Sequence, residues 1–237
     1  MKKLIFSFTV LLIAQLSFSQ IKTTSTKSAN PQKTVAPAKG RLAEIITDYG
    51  TMVIRLYDST PMHRDNFITL VKEGFYDSLL FHRVIQNFMI QGGDPTSKNA
   101  DSSVMLGGGE APGDRIPAEF RNNYIHKKGV IAAARDDNPE KASSNCQFYI
   151  VQGQKYNDTM MNMMECNVRQ NNPGFTYTTA QRKLYKTVGG TPFLDQNYTV
   201  FGEVIKGLDV IDKIAALPTN ANDRPLQDVR MKIKMLN

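Results

Sequence analysis

The 237-residue chain has no tryptophan, two cysteines and three histidines. Two cysteines are too few for the disulfide framework of a small exported scaffold. Cys146 lies in the strand-like run CQFYIV, on the face of Phe148 and Ile150, which favours a buried, inert thiol; a single bridge to Cys166 is the alternative. His63, His82 and His126 do not fall at metal-ligand spacing with Cys, Asp or Glu. There is no G-x-S-x-G and no local Cys-His signature, so nucleophilic catalysis is not advertised. The glycine-rich run LGGGEAPGD is followed by no Lys-Ser/Thr and lacks dinucleotide spacing, which argues against a phosphate cradle.

Long apolar runs are also missing after residue 18, and no later segment approaches the roughly 20 apolar residues that span a bilayer. The one apolar run, Leu4 to Phe18, follows Lys2-Lys3 and ends in Ser17-Phe18-Ser19. This pattern is expected of a secretory signal peptide over 1–19; an uncleaved anchor is the alternative, for which the run is short. Residues 20–40, rich in Thr, Ser, Lys, Ala and Pro, read as a flexible basic linker. Acids are absent before Glu44, and six lysines precede it, so the formal charge of +7 falls to +1 for 41–237. The basicity belongs to the tail, and a nucleic-acid partner is not expected. A solvated spacer is the simple reading of that tail, with contact to an anionic envelope surface as the other.

What is present after residue 40 is a series of short strands. LAEIITDYGTMVIRLYD gives two strands about a turn at Asp48-Tyr49-Gly50. A helix is predicted over 61–73, with Thr60 as cap, Pro61 in its first turn and Gly74 as its stop. Strands follow in FHRVIQNFMIQGGD, KKGVIAAAR, NCQFYIVQG and NYTVFGEVI, then a helix over 207–216 and a last strand in LQDVRMKIKML. Residues 95–115 read as a long loop. Many strands and two short helices predict a mainly all-β barrel or sandwich. Residues 154–191 break the pattern and predict an inserted helical hairpin. Asp158 caps its first helix, which carries Met160, Met161, Met164 and Val168; Thr178 or Thr179 caps its second. The methionines either pack on the body and each other or form an adaptable binding face.

In FHRVIQNFMIQGGD one arginine sits among aromatic and aliphatic side chains. Period-two alternation places Arg83 with Ile85, Met89 with Gln91, and Gln147 with Tyr149. Phe, Met and Tyr beside one guanidinium and two amides suit an apolar ring joined to a peptide group, as proline is in a chain.

FHRVIQNFMIQGGD, ASSNCQFYIV and PFLDQNYTVFGEV, in that order, resemble the signature segments of the cyclophilin family of peptidyl-prolyl cis-trans isomerases, from about Ala43 to Leu236. The resemblance implies a closed eight-stranded antiparallel β-barrel capped by two helices, in a domain spanning 41–237. It implies catalytic roles for Arg83, Gln91 and Phe88, with Phe88 also lining the proline pocket. Substrate contacts are implied for Met89, Ala134, Arg135, Gln147, Tyr149, Phe193, Leu194 and Tyr198. Tyr149 stands where relatives commonly carry Phe, so its hydroxyl needs a partner or water. Phe193 stands where many carry Trp, and Gln86-Asn87 replaces a Pro-containing pair. Nothing carries over onto 154–191. The implied activity is cofactor-free rotation of X–Pro bonds in exported, proline-containing polypeptides by a monomer, periplasmic in a double-membraned cell and released otherwise. A non-catalytic proline-binding or chaperone-like module is the alternative.

Overall fold

The computed structural model describes residues 41–236; the expected signal peptide and linker lie outside the described residues. Strand β1 (Leu42–Thr47) turns through Asp48-Tyr49 into β2 (Gly50–Leu56), paired from Thr47↔Gly50 to Leu42↔Arg55. Alternation buries Ala43 and Ile45 with Met52, Ile54 and Leu56 on the inner face.

Helix α1 (Pro61–Lys72) buries His63, Phe67, Leu70 and Val71, and Gly74, at φ 69°, closes it in the left-handed region. Thr60 does not cap it, and its Oγ1 has no partner among the described residues. Glu119 takes over instead: its carboxylate accepts from the amides of Met62 (3.3 Å) and His63 (3.0 Å), and from His63 Nδ1 (2.7 Å). A carboxylate brought from a distant loop does what a local threonine was expected to do.

Six further strands complete one antiparallel sheet: β3 (Arg83–Ile85), β4 (Met89–Gly92), β5 (Val130–Ala133), β6 (Phe148–Val151), β7 (Val200–Lys206) and β8 (Lys232–Leu236), in the order β3-β4-β6-β5-β7-β2-β1-β8. The expected closed barrel is corrected to an open, curled sheet, because β3 and β8 do not share a ladder. β3 is three residues long, and its Val84 amide donates to the Asp223 carbonyl at 2.8 Å. The segments preceding each strand meet instead: Leu80 bridges Arg230, and Phe81 N donates to Val229 O. Val229 and Met231, expected within the last strand, are buried but lie before it.

Helix α4 (Leu208–Ala215) buries Val210, Ile211, Ile214 and Ala215 against the sheet, and packs near β2, β3 and β4, while α1 packs near β7 and β8. Among the described residues no helix is long and apolar enough to cross a membrane.

The segment 154–191 forms α2 (Asp158–Asn171) and α3 (Thr179–Thr187). Asn157, not Asp158, caps α2, accepting from Met160 N; Thr178 caps α3 in a reciprocal box with Gln181. The two helices enclose their own apolar cluster of Ile125, Tyr156, Met161, Val168, Phe175, Tyr177 and Tyr185. Met161 is fully buried there, Met160 and Met164 lie against it, and Met163 is exposed. Packing therefore accounts for three of the four methionines. Both cysteines are free; burial pushes the Cys146 thiol up to about 11, which leaves it unreactive near neutral pH.

Candidate active site

Register builds the site. The pairs Arg83↔Gln91, Gln91↔Tyr149, Tyr149↔Ala132 and Ala132↔Val200 run across β3, β4, β6, β5 and β7 on one face of the sheet. The alternate row, Val84, Ile90, Ile150 and Ile131, faces the opposite side and joins the main core. Each strand thus gives one set of side chains to folding and the other to the site. Between β3 and β4 the chain reverses through 86–88, where Asn87 adopts φ 62°, a conformation asparagine tolerates well. Gln152 Oε1 accepts from Asn87 N at 2.6 Å, and the Gln152 and Gly153 amides both donate to Phe88 O at 3.0 Å. The turn that presents Phe88 is held by the two residues that follow β6.

Arg83, Phe88, Gln91 and Tyr149 line a groove of about 300 Å³. Met89 and Tyr149, both buried, form its floor; Phe88, Leu194, Tyr198 and Ala134 form its apolar sides. Arg83 and Gln91 supply its polar end. Gln91 Nε2 donates to Gln147 Oε1 at 3.3 Å, and Gln147 Nε2 donates in turn to the carbonyls of Gly107 (3.0 Å) and Gly109 (2.8 Å). Gln147 acts on the groove through Gln91 and lines a neighbouring hollow with Ala134 and Arg135. Arg135 lies 4.8 Å over the Tyr198 ring and donates to Asn197 O and Oδ1, both at 3.0 Å. Phe193 stands outside the groove wall, exposed, with its ring 5.6 Å from that of Phe88.

The Arg83 guanidinium donates through Nε to Asp223 at 3.4 Å; its two Nη groups have no hydrogen-bond partner among the described residues. A loosely tethered fork with free donors beside an apolar floor can meet a polar atom of a ligand.

Several wall residues carried no sequence signal. Ser102–Gly107 form the wall facing the strands, in the segment read as plain loop. Buried Asp94 organises it, accepting from Thr96 N (2.8 Å) and from the amides of Gly107 and Gly109. Burial opposes its charge, but these hydrogen bonds outweigh it and lower its pKa. Buried Arg224 donates to the carbonyls of Ala100, Asp101 and Val104 and pairs with Asp228. His82, also on the wall, has both ring nitrogens buried without a partner among the described residues. Burial lowers its pKa to about 4. An Asp followed by a Gly-rich loop and an isolated Arg are common on any surface, so neither points to a groove from sequence alone.

The Tyr149 hydroxyl finds a protein partner: it lies 3.0 Å from His126 Nε2. Burial holds the phenol well above its usual range. His126 Nδ1 lies 2.7 Å from Asp195 Oδ1. Among the described residues no group of three or more His, Cys, Asp or Glu is placed to hold a metal ion.

The family model described as "Cyclophilin type peptidyl-prolyl cis-trans isomerase/CLD" matches residues 42–235. A protein of Staphylococcus haemolyticus, provisionally named a peptidyl-prolyl cis-trans isomerase, is 35% identical over 184 residues, covering 77% of this chain and 84% of that protein. One of Staphylococcus aureus strain USA300 with the same name is 33% identical over 201 residues, covering 84% and 93%. In fold, the chain is similar to a cyclophilin-type isomerase of Cryptosporidium parvum crystallised with the dipeptide Ala-Pro, at TM-score 0.59 and 22% identity, covering 83% of this chain and 99% of that one. Matched along nearly all of its described length, this chain belongs to the cyclophilin-type peptidyl-prolyl cis-trans isomerase family and is an enzyme of that class.

Proposed function

We propose that Arg83 accelerates X–Pro rotation by hydrogen-bonding to the twisted amide while the groove floor grips the proline ring. Rotation about a peptide C–N bond breaks amide resonance at a cost of roughly 18–20 kcal/mol. No covalent bond changes, so the enzyme has to bind the twisted form better than either planar form. In the twisted form the proline nitrogen has a localised lone pair, and a cationic donor reaches it in that state alone. The observation that carries this reading is that Arg83, whose Nη groups have no hydrogen-bond partner among the described residues, lines the same groove as Phe88, Met89, Tyr149 and Leu194.

Magnitudes divide the work. A charge-assisted hydrogen bond contributes about 1.5–3 kcal/mol net. A thousand-fold acceleration needs about 4 kcal/mol. The remainder comes from a preorganised, water-poor floor that fixes the ring while the preceding carbonyl swings. Gln91, held by Gln147, stands opposite Arg83 on the next strand, placed to take the substrate's backbone. Arg135 and Tyr198 at the other end suit the residues flanking proline.

The test is exchange NMR on an X–Pro peptide. Arg83→Ala should lower kcat/KM by one to two orders of magnitude, the loss of one such hydrogen bond, while peptide affinity changes little. Arg83→Lys should also be poor, since an ammonium lacks the planar fork. Parent-like exchange in both variants would remove Arg83 from the mechanism.

The substrates we infer are proline-containing segments of exported proteins during folding, met by a monomeric mature chain. The charged-then-apolar pattern of residues 1–19 supports export. Sequencing the amino terminus of protein recovered from the cell envelope tests this; an intact Met1 would overturn removal of residues 1–19, and absence of the protein from the envelope would overturn export.

A further inference from the structure

Behind the groove, a chain of buried polar groups connects the floor to the segment 154–191. Asp195 Oδ1 accepts from His126 N and lies against His126 Nδ1, each at 2.7 Å. Asp195 Oδ2 accepts from the hydroxyls of Tyr177 (2.6 Å) and Tyr185 (2.5 Å). All five side chains, from Tyr149 through His126 and Asp195 to the two tyrosines, are at most 4% exposed, so bulk water does not compete for them.

The directions of these bonds follow from chemistry. A carboxylate only accepts, so a neutral His126 facing Asp195 carries its proton on Nδ1. Its Nε2 is then an acceptor, and the Tyr149 hydroxyl has to donate to it. The phenolic proton is thereby drawn out of the groove, and the floor presents an aromatic ring with no polar demand of its own. The donors that complete Asp195 come from the inserted segment: Tyr177 just before α3 and Tyr185 within it. The same segment clamps the His126 backbone, since Thr191 N donates to His126 O at 2.8 Å. A Cβ on Gly190 would lie 2.2 Å from His126 O and 2.7 Å from Tyr185 Cε1, so the clamp requires glycine there.

We propose that His126 and Asp195 are positioning residues for the proline pocket, and that the segment 154–191, through Tyr177 and Tyr185, sets the orientation of the Tyr149 hydroxyl and with it the affinity for proline. This rests on reading Tyr149 as the pocket floor. If the chain is loosened, the hydroxyl turns into the groove and brings a water to where the proline ring sits. The loss falls on substrate binding more than on the rotation step, because Arg83 is untouched.

The experiment combines nitrogen-15 NMR of the histidines with kinetics on the tetrapeptide Ala-Ala-Pro-Phe. In the parent protein the His126 ring should show its proton on Nδ1 and an accepting Nε2. The double variant Tyr177→Phe, Tyr185→Phe should shift the His126 Nε2 resonance and raise KM about three- to tenfold, with kcat within twofold. His126→Leu should raise KM at least as much, and adding Tyr149→Phe should restore it, since the hydroxyl that needs an acceptor is gone. A loss of affinity through general loosening of the fold would not be restored in this way. A parent His126 protonated on Nε2, unchanged KM in the double tyrosine variant, or no restoration by Tyr149→Phe each overturns the proposal. These results stand apart from the Arg83 test: parent-like exchange in Arg83→Ala removes the catalytic reading and leaves the His126 resonances where they are.

Discussion

The interior of the sheet is lined by Ile45, Ile54, Ile90, Ile131, Ile150 and Phe148, whose side chains carry no polar atom. The cluster under α2 and α3 is built instead around Tyr156, Tyr177 and Tyr185, with buried Glu165 joining Arg169, Arg182 and the Tyr177 amide beside it. The first core is held by exclusion of water, which is insensitive to the direction of any one bond. The second adds to its apolar packing a set of hydrogen bonds that have to close together, which specify one arrangement and fail when one partner is lost. The groove lies between these regimes. Its floor residue Tyr149 belongs to the sheet, and its hydroxyl belongs to the polar chain.

Substitutions can break or sharpen this contrast. The largest effect should come from the dry core: Phe148→Ala should cost about 3–5 kcal/mol in urea unfolding, because the cavity left between Phe67, Tyr76 and Phe81 cannot collapse. The buried, unpartnered ring of His82 should come next. The unfolded chain takes up a proton below about pH 6.5 and the folded ring only below about 4, so stability is full above 6.5 and is lost as pH falls between the two. The loss reaches about 3 kcal/mol. His82→Phe should flatten that slope, with a residue remaining because burial also lowers the pKa of His63. A slope unchanged in His82→Phe would contradict the assignment.

A smaller effect is expected in the polar core. Tyr177→Phe should cost about 2 kcal/mol, the loss of a hydrogen bond to a carboxylate. Hydrogen exchange should show this as faster opening of the α2 and α3 amides, with β5 and β6 unchanged. Equal acceleration in both regions would erase the distinction between the cores. The smallest effect belongs to the exposed pair of Lys186 with Asp158 (2.7 Å), which ties α3 to α2 at the surface; Lys186→Ala should cost less than about 1 kcal/mol, and less still in high salt.

The same contrast governs what could be read before folding. Alternation is a local signal, and it grouped Arg83 with Ile85 and Met89 with Gln91 inside their own strands; bringing Arg83, Gln91 and Tyr149 onto one face took the register between strands, which no single segment carries. Closure of the sheet was not legible, since it depends on which segment reaches the outer edge of β3, and Asp223 lies 139 positions from Val84 in the chain. Helix α3 was legible through its threonine cap, Thr178 or Thr179 in sequence and Thr178 in the structure, whereas the cap of α1 was not, because Glu119 arrives from a distant loop. His126 and Asp195 appeared as an unremarkable His and Asp 69 residues apart. A buried hydrogen-bond partner is found by folding, not by spacing.

The unpaired borders of the sheet have a bearing on colloidal behaviour. Bare main-chain donors along an outer strand invite a second polypeptide to add on, and repeated addition is a route to fibrils. Here the border at β3 has its central amide already engaged by the 218–225 turn, and that at β8 displays Lys232 and Lys234 to solvent. One border is occupied and the other carries solvated lysines paired with Asp77 and Glu44, so a sheet that never completes its ring still offers little template for polymerisation.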